Sequence, residues 1–431
     1  MHWLSWDLNL KIRLLGETLF HTLFWMFFPF MALYFSDAFG KNVAGILLTV
    51  PPLVGIFGNL LGGYLSDRFG RRPAMLLGSF MQAAMFALFA LSANHWVDYL
   101  AYIGIGLGGS IYWPASSAMV ADLTPEEERR VVFATFYTAM NIGVVLGPVL
   151  GSIFFLHYRS ALLLTCTVVT LAYALAIFFL IRETLPETAK KRDPSAAGSS
   201  LLKEQWQSYA VILQDKAFAL YIAAGILVAI TFMQLDLYLA VYVKEFVPAQ
   251  TLLAWNGWSF SLNSTEVFGW MVGLNGLLVV LFTLPVTRWF EHWSDRNALI
   301  FSSVVYGLGM FFIGLTTQVW LLFGCAVILT LGELIRTPVV QSFVSKYAPE
   351  DARGQYMGAS SLQFSIGRFL APLTIWLSAW MPPIGVFGII LLCSLLSALL
   401  YVKLFQILPD SRPVQAHSSL SHAVKEKTEM V

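Results

Sequence analysis

The sequence predicts an all-α membrane protein in which twelve transmembrane helices form two pseudo-symmetric six-helix halves. Three observations support this fold: the composition, twelve long apolar runs, and an internal repeat. The 431 residues are 58% hydrophobic and 12% charged, and their mean hydropathy is +0.70. Because soluble domains carry about 25% charged residues, this composition places the chain in a lipid bilayer.

Each apolar run is close to the roughly 20 residues that a spanning helix needs. The runs lie near residues 14–36, 43–65, 74–93, 98–121, 131–155, 160–181, 217–242, 266–287, 298–316, 319–343, 355–378 and 383–405. With both termini inside, the cytoplasmic segments hold 21 lysines and arginines and the outer loops hold three. Since cytoplasmic loops carry the excess of positive charge, we expect a multi-pass cell-membrane protein with both termini cytoplasmic. We expect no removable signal peptide before the first run.

Similar motifs recur in register along the chain, which is typical of transporters built from two related halves. Segments 125–129 and 141–148 recur 224 residues later at 349–353 and 365–372, and segment 66–68 recurs 228 residues later at 294–296. The repeat predicts an N-terminal half at residues 1–182 and a C-terminal half at 217–408. The polar segment 183–216 is a predicted cytoplasmic linker, and the tail 409–431 is predicted to be disordered.

A short basic turn between the second and third runs contains the most specific motif. Its pattern is Gly63-x-x-x-Asp67-Arg68-x-Gly70-Arg71-Arg72. The arginines favour a cytoplasmic position for this turn. We expect Gly63 and Gly70 to permit close backbone approach, and Asp67 to meet an arginine or the positive end of a helix. Asp122 ends the fourth run on the same side, where it can join this turn or remain a solvated carboxylate.

The fifth run contains a second motif of small residues. Its pattern is Gly143-x-x-x-Gly147-Pro148-x-x-Gly151. Small residues at four-residue spacing let two helices pack closely, and the proline bends its helix and frees a backbone carbonyl. We therefore expect a tight helix–helix contact at this run.

Ionisable residues inside a membrane are costly, so each is a functional candidate. Asp236 lies in the outer half of the seventh run, after Met233 and Gln234, and is the preferred site of protonation. Glu333 in the tenth run is the second proton-coupling candidate. We expect Glu333 and Arg336 to line a substrate cavity with those three residues, although the two could also form a purely structural pair.

Other ionisable residues leave alternatives open. Glu17 and His21 share one face of the first run, where helix capping or an interfacial position is as compatible with the pattern as substrate contact. Arg368 in the eleventh run needs either a carboxylate or a water-filled cavity. The three cysteines all fall within apolar runs and are predicted to be core residues.

The basic-turn motif resembles the loop 2–3 signature of the major facilitator superfamily. The motif of the fifth run is similar to that of proton-coupled antiporters in this superfamily. The resemblance implies that Asp67, Arg71 and Asp122 form one network near the inner membrane surface.

Strings in both halves resemble secondary multidrug transporters of the LmrP type. They are Val131-Val132-Phe133, Leu213-Gln214-Asp215-Lys216, Met233-Gln234-x-Asp236 and Thr330-Leu331-Gly332-Glu333-x-x-Thr337-Pro338-x-x-Gln341. This resemblance implies that Asp67, Asp122, Asp236 and Glu333 take part in proton coupling and conformational switching, the last two also in binding cationic drugs. Phe136 and Ser394 stand where that family has further membrane acids, so its proton stoichiometry does not carry over.

The predicted function is proton-coupled secondary transport that exports amphipathic, cationic or neutral drugs. The 34 Phe, 14 Met, 14 Trp and 16 Tyr suit an adaptable apolar pocket. The alternative is an exporter or flippase for one specific lipid or metabolite. The sequence shows no catalytic set, so we expect no enzyme, no cofactor and no metal site. The expected partners are small amphipathic substrates, protons and membrane lipids, without nucleic acid, and the expected state is a monomer.

Overall fold

The computed structural model describes residues 6–185, 214–348, 356 and 359–408, and these are mostly helical. The helices of the first half are α1 Leu8–Phe27, α2 Met31–Phe39, α3 Lys41–Leu47, α4 Val50–Phe69, α5 Arg71–Leu91, α6 His95–Leu123 and α7 Glu126–Leu180. Those that follow are α8 Lys216–Phe232, α9 Tyr238–Phe246, α10 Ser264–Trp289, α11 Asp295–Ile313, α12 Val319–Tyr347, α13 Leu362–Leu370, α14 Leu373–Leu377 and α15 Pro383–Ile407. Two 3₁₀ turns, Phe28–Phe30 and Met233–Leu235, lie within the first and seventh predicted runs.

Helices occupy each of the twelve predicted runs within the described residues. Ten of these segments are long and apolar enough to cross a membrane. Of the other two runs, α6 has 29 residues, enough for about 43 Å of helix, and the pair α13 and α14 forms a shorter apolar segment, Leu362–Leu377. The predicted membrane protein is therefore confirmed, and the count of twelve spans stays a prediction.

Several predicted runs bend or break at identifiable residues. The 55 residues of α7 contain the non-helical Tyr158 (φ −132°, ψ 39°), which separates a first arm at 126–157 from a second arm at 159–180. The seventh run is interrupted by the 3₁₀ turn before Asp236, and α9 resumes at Tyr238. The eleventh run is interrupted at Pro372, which lacks the backbone N–H that a continuous helix needs.

A β-hairpin between α9 and α10 departs from the predicted all-α fold. Strand β1 (Gln250–Trp255) pairs antiparallel with β2 (Trp258–Leu262). Asn256 and Gly257 join them with φ of 47° and 85°, and positive φ at both central residues is the signature of an Asn-Gly hairpin turn. The run-based prediction missed this hairpin because it considered apolar length and not turn chemistry.

The described residues fall into two compact units. Unit 1 comprises Met1–Pro194, Leu235–Leu277 and Pro372–Trp380; unit 2 comprises Ser195–Gln234, Leu278–Ala371 and Met381–Val431. In unit 1, buried residues around Met75, Met119 and Ile177 form a core cluster. In unit 2, a larger cluster is centred on Phe218 and Tyr221. The predicted halves 1–182 and 217–408 stay a prediction, and most of the predicted linker and the whole tail lie outside the described residues.

Candidate functional site

The three charged residues of the predicted inner network are in contact. Arg71 Nη1 lies 2.6 Å from Asp67 Oδ1, and Arg71 Nε lies 3.1 Å from Asp122 Oδ2. Arg71 Nη1 also donates to the backbone carbonyl of Ser66 at 3.1 Å. The Asp67 side chain is 79% exposed, and exposed ion pairs contribute about 0–1 kcal/mol. The contact predicted from the sequence is therefore confirmed, and its Asp67 pair adds little stability.

Glu183 completes this network, and the sequence analysis missed it. Its carboxylate accepts the backbone N–H of Arg71 at 2.9 Å and that of Arg72 at 3.1 Å, and so caps the first turn of α5. Gly70 has a φ of +113°, and a Cβ there would lie 2.3 Å from Glu183 Oε2. The motif therefore needs glycine at position 70 for both its conformation and its space. Glu183 is 112 residues away from Arg71, so no local pattern points to it.

The other motif residues have separate contacts. Arg72 donates to the carbonyl of Phe178, and its guanidinium lies 5.5 Å from the centre of that ring. Arg68 donates to the hydroxyl of Tyr64. A Cβ on Gly63 would have no atom within 4 Å. The expected close backbone approach at Gly63 is therefore wrong for this structure, because its open side faces no neighbouring backbone.

The glycines of the fifth run pack directly against α1. Cβ atoms added at Gly143, Gly147 and Gly151 would lie 2.7, 2.4 and 2.0 Å from atoms of Thr22, Trp25 and Met26. The expected tight contact is confirmed. In unit 2, Gly367, the repeat partner of Gly143, similarly packs on Ala229 of α8, where a Cβ would approach to 2.4 Å.

Pro148 affects a second helix contact on the first arm of α7. Because proline has no N–H, the carbonyl of Val144 loses its intrahelical partner. Within unit 1, a Cβ added at Gly276 of α10 would lie 3.1 Å from this carbonyl. A Cβ added at Gly269 would lie closer still, 2.6 Å from the carbonyl of Pro148. A glycine stripe on α10, with Gly273 between these two, therefore allows α10 to approach the proline bend. The sequence analysis did not identify this stripe.

A buried ionic cluster lies in unit 1. Glu17 Oε1 accepts hydrogen bonds from Arg13 Nη2 at 2.8 Å and Nε at 3.2 Å. The same oxygen accepts from Tyr112 at 2.6 Å and Ser116 at 2.5 Å, and the hydroxyls of Tyr112 and Tyr173 are 2.6 Å apart. Arg13 is 1% exposed and Glu17 is 4% exposed. This cluster joins α1, α6 and the second arm of α7.

The positive-inside count assigns Arg13 to a cytoplasmic segment, and this side of the membrane stays a prediction. The residue lies inside α1, with its guanidinium 5.2 Å from the ring of Phe136. Glu17, one turn further on, provides the opposite charge that makes its burial possible. The cap of α1 is Asp7, so Glu17 does not cap this helix. His21 accepts a hydrogen bond from the indole of Trp25 at 2.9 Å.

A pocket opens beside this cluster. It contains about 380 Å³ of space, including the part open to solvent, and is lined by Glu17, Phe20, His21, Ser79, Gln82, Gly109, Tyr112, Trp113, Thr170 and Tyr173. Two lining oxygens, Glu17 Oε2 and Thr170 Oγ1, are buried without a hydrogen-bond partner. Buried polar atoms are rarely left unsatisfied, so these two oxygens are available to water or to a ligand.

A second buried acid, Asp98, lies near the predicted outer end of α6. It is 1% exposed, accepts from the hydroxyl of Tyr34, and has His95 at 3.5 Å and Arg159 at 3.9 Å. The sequence analysis passed over it because Asp98 marks the start of the fourth run. An acid at a run boundary is the signal that could have found it.

The seventh-run candidates lie at the helix break. Met233 and Gln234 belong to the 3₁₀ turn, and Asp236 follows it as a half-buried residue. The amide of Gln234 donates to the carbonyls of Ile230 at 2.8 Å and Ala371 at 3.3 Å. These bonds satisfy carbonyls near the interruptions of the seventh and eleventh runs, as irregular backbone in a membrane requires.

Glu333 and Arg336 lie on α12 in unit 2. Arg336 is 6% exposed, donates to the hydroxyl of Tyr401 at 2.7 Å and lies 6.0 Å from the ring centre of Phe232. Its Nη1 is buried without a hydrogen-bond partner. Glu333 is half-buried. The environment of Arg336 is thus aromatic and polar, and its cavity-lining role stays a prediction.

The predicted inner end of unit 2 contains an acid that accepts hydrogen bonds from tyrosines. Asp215 caps α8 by accepting the N–H of Ala217 at 3.0 Å, and its other oxygen accepts from Tyr347 at 2.6 Å. Burial and then this hydrogen bond raise the pKa of Tyr347 above its usual value.

Ser394 stands where multidrug transporters of the LmrP type have an acid. Its hydroxyl donates to the carbonyl of Ser303. It therefore serves helix packing.

Comparison with known proteins places these motifs in a family. A sequence model of the Major Facilitator Superfamily matches residues 14–254 and 249–427. The chain belongs to the Major Facilitator Superfamily. This superfamily member is 40% identical over 418 residues to the Na(+), Li(+), K(+)/H(+) antiporter of Planococcus maritimus, which covers 95% of this chain and 98% of the relative.

More distant relatives agree on transport. The superfamily member is 26% identical over 347 residues to the multidrug resistance protein MdtH of Yersinia enterocolitica, with 80% of each chain covered. A crystal structure of a POT family transporter in complex with 5-aminolevulinic acid matches with a TM-score of 0.75 at 17% identity, covering 91% of this chain and 95% of that one. The structural match shows the fold alone. Together, the family and these relatives identify a multi-pass membrane transporter.

Proposed function

We propose that this transporter exchanges protons for alkali-metal cations across the cell membrane, with both termini in the cytoplasm. The observation that carries this proposal is the 40% identity, over nearly the whole of both chains, to an antiporter named for Na⁺, Li⁺, K⁺ and H⁺. Buried carboxylates are what such an exchange needs, because a carboxylate can bind either a proton or a metal cation.

Asp236 and Glu333 are the proposed proton-coupling residues on the C-terminal side of the chain. Asp236 lies at the helix break before Tyr238, and transporters place their binding sites at interrupted helices. Glu333 shares α12 with Arg336, whose positive charge favours the ionised carboxylate. Asp236 is therefore the better candidate for reversible protonation.

Asp67, Arg71 and Asp122 are the proposed inner gate. Asp67 is exposed enough for its pair with Arg71 to break at little cost, whereas the pair of Arg71 with Asp122 is more shielded, since these side chains are 11% and 20% exposed. At the predicted outer side of unit 1, Lys41 pairs with Glu245 at 2.6 Å and Lys244 pairs with Asp37. Opening α9 away from α2 and α3 would have to break these outer pairs. Weak ion pairs at both ends would let the inward-open and outward-open conformations interchange.

Export of amphipathic drugs is the second candidate function. It is favoured by the MdtH relatives and by the seventh- and tenth-run strings that resemble multidrug transporters. In this case Met233, Gln234, Asp236, Glu333 and Arg336 would contact the drug. Adaptable methionine and aromatic surfaces suit such substrates. A transporter of this kind could export drugs and cations by the same proton exchange.

Everted membrane vesicles distinguish these functions. Respiration acidifies the vesicle lumen, and a fluorescent weak base reports the pH gradient. We expect NaCl, KCl or LiCl, but not choline chloride, to dissipate the gradient in vesicles that contain the transporter. Vesicles with an Asp236→Asn variant are the control. Proton-dependent uptake of a cationic dye without any response to alkali-metal salts would instead establish drug export.

A further inference from the structure

We propose that the pocket beside Glu17 is a binding site for one alkali-metal cation, which competes there with a proton for the Glu17 carboxylate. The inference rests on the proposed exchange of cations for protons, and it adds the place in the protein where the cation binds. The site lies wholly in unit 1, and its lining includes neither Asp236 nor Glu333.

The carboxylate is oriented by its surroundings. Four donor contacts converge on Glu17 Oε1, from Arg13, Tyr112 and Ser116. Gly16 lets the ring of Tyr173 pack closely on α1, since a Cβ there would lie 2.1 Å from that ring. Oε1 is thus fully engaged, and Oε2 remains buried without a hydrogen-bond partner beside the pocket. One oxygen of the carboxylate is held in place and the other is available to a ligand.

The lining supplies the ligands that hard cations prefer. Thr170 Oγ1 is the second buried oxygen without a partner, and Thr170 is 1% exposed. Ser79 and Gln82, both on α5, add a hydroxyl and a side-chain amide, and Tyr173 adds a phenol. Carboxylate, hydroxyl and carbonyl oxygens bind hard metal ions, whereas softer metals prefer nitrogen and sulfur. Because Arg13 already balances the charge of Glu17 and the other lining oxygens are neutral, the site suits a monovalent ion rather than a divalent one.

Charge explains why the cation and the proton exclude each other. The charged or titratable groups around Glu17 are Arg13 and His21 on α1, Tyr112 on α6 and Tyr173 on α7. Arg13 and ionised Glu17 together carry no net charge. Either a proton or a metal cation brings the pair to +1, and both together would bring it to +2. Burying a second uncompensated charge is costly, so one ion must leave when the other binds.

Proton release by the purified transporter in weakly buffered detergent solution tests the site. Adding NaCl should release protons from the wild-type protein, and adding choline chloride should not. Thr170→Val removes one ligand oxygen and keeps the shape of the side chain. It should raise the half-saturating Na⁺ concentration about five-fold or more, as loss of one polar contact typically does. Glu17→Gln should abolish the release.

Thr165→Val is the matched control, because Thr165 is an exposed residue of the same arm whose hydroxyl bonds to the carbonyl of Ala161. It should leave the Na⁺ dependence unchanged. Wild-type Na⁺ dependence in Thr170→Val, in a protein that exchanges Na⁺ for protons, would overturn the site and leave the proposed function standing. No exchange in the wild type with Na⁺, K⁺ or Li⁺ would overturn both. Should Glu17→Gln fail to fold, Thr170→Val alone decides.

Discussion

The buried pair of Arg13 and Glu17 predicts a strong non-additivity of mutations. Its atoms are 2.8 Å apart, and the side chains are 1% and 4% exposed. Glu17→Gln leaves a buried guanidinium without a counter-charge, and Arg13→Met leaves a buried carboxylate. Each single change should lower the free energy of unfolding by about 3–5 kcal/mol. The double variant removes both charges and should unfold within about 1 kcal/mol of the wild type, or at higher stability.

The chain provides its own probe for this measurement. Cys166 and Cys325 are buried free thiols and Cys393 is half-buried, so a thiol-reactive fluorogenic dye reports unfolding in detergent. The double variant should recover most of the melting temperature that either single variant loses. If the two losses simply add, Arg13 and Glu17 do not depend on each other, and the charge argument for the pocket is wrong.

Four further predictions concern other residues. Gly151→Ala should destabilise the protein by about 1–3 kcal/mol, because its Cβ would lie 2.0 Å from a backbone carbonyl of α1; Gly388→Ala, with no atom within 4 Å, is its control. Asp67→Asn should shift the transporter toward the inward-open state, measured as spin-label distances between the inner ends of the second and eleventh runs. Asp236→Asn should abolish proton-driven accumulation while substrate binding remains measurable. Glu333→Gln should weaken the binding of cationic substrates more than that of neutral ones.

Each of these has a contradicting result. Equal melting temperatures for the two glycine variants would show that α1 and α7 can separate without cost. Distance distributions that Asp67→Asn leaves unaltered at every pH would show that Asp67 is not part of an inner gate. Proton-driven transport at the wild-type rate in Asp236→Asn would show that another acid couples transport to protons. Equal loss of cationic and neutral substrates in Glu333→Gln would indicate a structural role for that residue.

Local spacing explains what the sequence could predict. Asp67 and Arg71 are four residues apart, so one helix turn already brings them together, and Asp122 joins them from the neighbouring helix end. The small residues from Gly143 to Gly151 likewise predict a close contact, although the sequence does not name α1 as the partner. The apolar runs predict each helix because membrane-length hydrophobic segments have few alternatives.

Long-range and charge-paired features were harder to predict. Glu183 reaches the start of α5 across 112 residues, and nothing near Glu183 in the sequence indicates a cap. Arg13 was counted only as a cytoplasmic charge, because charge counting does not consider ion pairs within a helix. The four-residue spacing of Arg13 and Glu17 was the signal for a buried pair. The hairpin was missed although Asn256-Gly257 is a strong turn signal.

Reversal of the exchange is the most direct test of proton-coupled antiport. Purified transporter is reconstituted into proteoliposomes loaded with NaCl and a pH-sensitive dye, with equal pH on both sides, and diluted into choline chloride. Outward movement of Na⁺ should drive protons inward and acidify the lumen, even with the membrane potential clamped. Na⁺ efflux without lumenal acidification under that clamp would contradict the account, because it would show transport that is not coupled to protons.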